Sequence, residues 1–109
     1  MAKHEFGMMG RAPILGERYD RYEPEKYVLT AIEDAALEPL MPRLDEIVFF
    51  WHSLDVPGKG LAYCGITLIP PGSMGAVIEI IEGYPGLDSL KHLLLEAQAK
   101  NKFVIHYGL

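Results

Sequence analysis

IVFFWHSLDVPGKGLAYCGITLI, residues 47–69, decides the architecture. Two runs rich in β-branched and aromatic residues flank DVPGKG, where one Pro and two Gly fall within six residues. That pattern reads as a β-hairpin with strands over 47–54 and 61–69. Side chains alternate across a strand, so each strand carries two rows. Ile47, Phe49 and Trp51 make an apolar row in the first strand, and Ala62, Cys64, Ile66 and Leu68 make one in the second. If both rows face one core, Trp51 lies opposite Cys64, His52 opposite Tyr63, and Leu54 opposite Leu61. Phe50 then covers the bare backbone of Gly65. Val77, Ile81, Leu90 and Leu94 complete the expected core.

This register governs which chemistry is possible. His52 and Cys64 fall on opposite faces, so they cannot form a Cys/His nucleophilic pair. Cys64 reads as a small buried hydrophobe. Gly58-Lys59-Gly60 lacks the spacing and following helix of a phosphate loop. The face away from the helices carries His52, Tyr63 and Thr67. Thr30 and His106 join them from the outer rows of the first and last strands. These five residues are the candidate ligand-binding set. No metal site is expected. The chain has no HxH, HExxH or CxxC spacing, and His52 and His106 would sit on opposite sheet edges, roughly 14 Å apart. The carboxylate pairs, such as Glu33 and Asp34, flank element ends and read as caps or turns. No motif implies a cofactor.

Outside the hairpin, residues 27–32 read as a short strand. A helix follows, with Pro39 and Pro42 confined to its first turn and Leu37, Leu40, Met41 and Leu44 as its stripe. After Pro70-Pro71-Gly72, Ser73 can cap a helix whose Met74, Val77, Ile78 and Ile81 share one face. Leu87, Leu90, Leu93, Leu94 and Ala97 mark another helix, and residues 103–107 the last strand. The implied fold is α+β: a two-layer sandwich with about four antiparallel strands and helices on one face, in ferredoxin-like βαββαβ order. Residues 1–26 read as an N-terminal arm and 27–109 as a single domain. Phe6, Tyr19, Tyr22 and Tyr27 make the arm too aromatic for a disordered tail, so it is expected to dock.

The chain of 109 residues is half apolar and carries a net charge of −5, with a single Cys. Without a basic surface, nucleic acid is not an expected partner. One Cys allows no internal disulfide and suits a reducing compartment. No apolar run approaches the ~18 residues of a membrane span, and no secretory signal is apparent. A cytoplasmic protein is expected. YEPEKY (22–27), GLAYCGITLIPP (60–71) and KFVIHYGL (102–109) together resemble small uncharacterised bacterial proteins of this length, a domain of unknown function. The resemblance carries no functional residue. The expected function is a small ligand-binding or protein-interaction module that uses its open sheet face, with a possible homodimer closing that face. The alternative is a small enzyme with His52 and Tyr63 as acid–base groups.

Overall fold

The computed structural model describes residues 2–19, 21–62 and 65–108. Six strands form one antiparallel sheet: β1 (Lys3–Met8), β2 (Leu29–Glu33), β3 (Val48–Trp51), β4 (Pro57–Lys59), β5 (Ile66–Ile69) and β6 (Val104–Tyr107). Their spatial order is β2-β1-β6-β5-β3-β4. The helices are α1 (Asp34–Leu37), α2 (Met41–Leu44), α3 (Pro71–Ile81) and α4 (Asp88–Ala99). The α+β class stands. The four-stranded ferredoxin-like order does not, because the sheet has six strands.

One added strand comes from the expected arm. Lys3–Met8 lies inside the sheet, between β2 and β6, with His4 opposite Ile32 and Phe6 opposite both Thr30 and His106. KHEFGM hides this role because its inward row begins with a histidine. The segment that behaves as an arm therefore starts after β1.

The other added strand comes from the turn of the expected hairpin. The chain reverses sooner than DVPGKG suggests: the Val56 amide donates to the Ser53 carbonyl, and the Trp51 amide to that of Val56. Pro57–Lys59 then pairs with β3 as β4, with Phe49 opposite Gly58. The chain crosses over, and β5 takes the other side of β3, with Trp51 opposite Thr67 and Phe50 opposite Leu68. Trp51 thus pairs three residues beyond the expected Cys64. An odd shift exchanges the two faces. Thr67 turns toward the helices, while Ile66 and Leu68 turn away. The expected cover of Gly65 by Phe50 is replaced by Trp51 lying over Gly58. A Cβ there would stand 2.6 Å from the indole ring, so only glycine fits. The indole N–H donates to the Gly60 carbonyl at 2.8 Å. Tyr63 and Cys64 lie outside the described residues, and the expectations of a His52–Tyr63 pair and a buried Cys64 fall there.

The helix-covered face holds the main core. Leu37, Leu40, Leu44, Met74, Val77, Ile81, Leu90 and Leu94 pack on Phe6, Ile32, Phe49, Ile69 and Val104. The helical stripes of α3 and α4 follow the expected spacing. Pro39 and Pro42 split the first helical segment into α1, a 3-10 turn at Glu38–Leu40, and α2. Each proline lacks the N–H that a longer helix would need. Ser73 does not cap α3; its hydroxyl donates to the Val48 carbonyl at 3.0 Å.

The opposite face is not open. Met9, Ile66, Leu68, Ile105 and Tyr107 are buried there beneath Tyr19, Tyr27, Leu29, Phe50 and Leu54. The Tyr22 ring meets Tyr107 edge-on with centroids 4.9 Å apart, and its hydroxyl donates to the Glu5 carboxylate at 2.5 Å. The aromatic arm docks as its composition suggests, and it supplies the cover that a second subunit was expected to supply. No helix among the described residues is long and apolar enough to cross a membrane.

Candidate functional site

Of the five candidate residues, Tyr63 lies outside the described residues, and the other four do not converge. Thr67 and His106 are neighbours, but on the helix-covered face rather than the outer one, paired across β5 and β6. Thr30 lies on β2 opposite Phe6, on that same face and half-buried. His52 lies past the end of β3. His106 is on a central strand, not an edge, and its close partner is His4, which is not among the candidates.

His4, Thr67 and His106 are each 0% exposed. They form one chain of contacts. Asp34, in the first turn of α1, brings its carboxylate to within 2.8 Å of His4 Nε2. His4 Nδ1 lies 2.9 Å from His106 Nε2. His106 Nδ1 lies 3.3 Å from the Thr67 hydroxyl, which accepts the Ala62 amide at 2.8 Å. One proton arrangement satisfies every link. His4 donates from Nε2 to Asp34, His106 donates from Nε2 to His4, and Thr67 donates to His106 Nδ1. Burial pushes the His106 imidazole down to about 3, with the neighbouring His4 adding to the effect. The Phe6 ring, 4.8 Å from that of His106, seals one side.

This chain contains what an acid–base centre needs except access. Only Asp34 reaches solvent, with its side chain 21% exposed. The nearby core cavity of about 10 Å³ is lined wholly by apolar residues, Phe6 and Phe49 among them. It has room for about one water and none for a substrate. The chain is a satisfied polar network inside a core, costly to disturb. Among the described residues, no group of three or more His, Cys, Asp or Glu could hold a metal ion. Sequence reasoning missed His4 and Asp34. The available signal was parity: His4, Phe6 and Met8 share one row of β1.

His52 is distinctive in another way. Its φ is +65°, an uncommon conformation for a non-glycine residue. Its amide donates to the Ile66 carbonyl at 3.0 Å, and its own carbonyl accepts the Tyr19 amide at 2.6 Å. The ring rests against Gly65, where an added Cβ would come within 3.1 Å of Nε2. Nδ1 is enclosed and has no partner among the described residues.

A hollow of about 320 Å³ on the arm side is lined by Met9, Gly10, Arg11, Glu17, Tyr19, Lys26 and Tyr27. Its walls are tied to the sheet. The Met9 amide donates to the Phe103 carbonyl at 2.8 Å, and the Lys102 ammonium to the Gly10 carbonyl at 2.9 Å. Burial raises the Tyr19 and Tyr27 phenols, with Glu17 adding to the effect at Tyr19. Both therefore stay neutral donors at pH 7. Lys26 is held by Glu23 at 3.1 Å. Arg11 makes no ion pair among the described residues.

Comparison with family models, curated proteins and solved structures finds no match to this chain.

Proposed function

We propose that the protein is a small-molecule binding domain whose ligand lies in a hollow formed by the N-terminal arm. The observation that carries this reading is the arm-framed hollow, whose volume of about 320 Å³ reaches the lower end of the range for ligand sites. Its chemistry suits a small apolar or aromatic carboxylate. Met9, Tyr19 and Tyr27 offer apolar surface, and the Arg11 guanidinium offers the forked donor geometry that a carboxylate accepts. Glu17 on the same rim disfavours a dianion. The acid–base enzyme is the weaker reading, because the described histidine pair is closed to anything the size of a substrate.

Benzoate is a suitable probe. In an amide NMR titration it should shift Met9, Gly10, Arg11, Tyr19 and Tyr27 with millimolar affinity, as expected for so small a ligand. Benzamide, which lacks the charge, should bind at least several-fold more weakly, and Arg11→Ala should remove that preference. Shifts scattered over the sheet, or none at millimolar benzoate, would reject the site.

A further inference from the structure

We propose that the arm hollow recognises an amino carboxylate, a zwitterion whose carboxylate meets Arg11 and whose ammonium meets Glu17. This rests on the reading of the hollow as a ligand site and adds the charge pattern of the ligand. The pattern follows from how the arm folds. The chain reverses over residues 14–17, where the Glu17 amide donates to the Ile14 carbonyl at 3.0 Å and Gly16 holds a φ of +90°. A type II turn needs a positive φ at its third residue, and glycine adopts it without strain. The turn brings Glu17 and Tyr19 back to the hollow that Met9, Gly10 and Arg11 already line. Both limbs are anchored: the Met9 amide donates to the Phe103 carbonyl, and the Tyr19 amide to that of His52.

Three charged side chains line the hollow, and they are not equivalent. Lys26 is held by Glu23 at 3.1 Å, so its charge is offset within the arm. Arg11 and Glu17 make no ion pair with each other or with any other described residue. The Glu17 carboxylate accepts a hydrogen bond from the Tyr19 phenol, which leaves its charge and its second oxygen for a ligand. Burial is the largest influence on that phenol, and Glu17 and Arg11 act on it with opposite sign, so both charges stand near one ring. A cation and an anion that line one hollow without pairing leave each charge to a third group. A simple carboxylate answers Arg11 but sets its own charge near Glu17, and a simple amine does the reverse. A molecule with both charges answers both, and its apolar body rests on Met9 and Tyr27. The repulsion selects as much as the attraction does.

The test is an amide NMR titration of the full chain with two matched pairs of probes, the members of each differing only by the ammonium group. L-phenylalanine against hydrocinnamate places the two charges close together. Para-aminomethylbenzoate against para-methylbenzoate places them at opposite ends of the ring. In at least one pair the zwitterion should bind roughly two- to fivefold more tightly, the range for an exposed ion pair. Glu17→Gln should erase that preference. Glu79→Gln, on α3 and away from the arm, removes the same charge and should leave the preference in place. A preference in neither pair would overturn the zwitterion, as would one that survives Glu17→Gln or is lost equally in Glu79→Gln. In those cases hollow shifts with the plain carboxylates would still support the ligand site. No hollow shifts with any of the four probes would overturn both.

Discussion

The two faces of the sheet are covered by different means. One lies under α3, α4 and the α1–α2 segment, and even its polar groups are linked into a closed chain from Asp34 to Thr67. The other lies under an arm with one short 3-10 turn at Pro24–Lys26 and several half-exposed tyrosines. Helices satisfy their own backbone, so they can seal a core that excludes water. An irregular arm must leave backbone near solvent and gives looser cover. The tight face is suited to stability, and the loose one leaves room for a ligand.

That contrast can be broken most directly with acid. His106 is held neutral in the fold, at about 3, whereas an unfolded histidine titrates near 6.5. Between those values the unfolded chain binds the extra proton, so stability is full above pH ~6.5 and falls as pH drops. The loss from this one residue is on the order of 1 kcal/mol for each pH unit of that fall. Urea unfolding between neutral pH and pH ~4 should show the fall, and His106→Gln should flatten it. An equally steep fall in the variant would assign the acid sensitivity to other groups.

Next in size is Leu94→Ala. Leu94 is fully buried among the helices, and the change should cost roughly 2–5 kcal/mol. A loss under ~0.5 kcal/mol, the level of a surface substitution, would remove the distinction between the faces. On the arm side, Tyr27→Ala should cost about 1 kcal/mol, because the ring is half-buried and its surroundings can relax. A value matching Leu94→Ala would show the arm to be core. Smallest is Tyr22→Phe, which deletes the hydroxyl bond to Glu5 at a largely exposed position. The unfolding midpoint should hardly move, but arm amides should exchange hydrogen faster.

The parts of this architecture legible in the sequence were those whose pattern is local. α3 and α4 announce themselves by apolar spacing, with Val77, Ile81, Leu90 and Leu94 all buried where expected. The arm announces itself by its tyrosines. The parts that were not legible depend on distant partners. β1 is hidden because His4 occupies a core position, which it can do only with His106 and Asp34 beside it. The β5 register is hidden for a related reason. An inward Thr67 looks wrong until the Ala62 amide and the His106 ring satisfy its hydroxyl, and Ile66 and Leu68 look wasted on the outer face until the arm covers them. Of the five candidate residues, Thr67 and His106 do meet, in an enclosed network rather than on an open surface.

β1 also constrains how the chain can reach this state. It sits between β2, about 25 residues downstream in the chain, and β6, whose His106 is separated from His4 by 102 positions. The β1–β2 pair can form early as a local hairpin-like contact. The β1–β6 pair closes a loop of nearly the whole chain and bears that entropic cost before its contacts form. During synthesis, β1 must therefore wait with one side unpaired until the last strand emerges. Closing this long-range pair, rather than forming the helices, is the step that high contact order marks as slow.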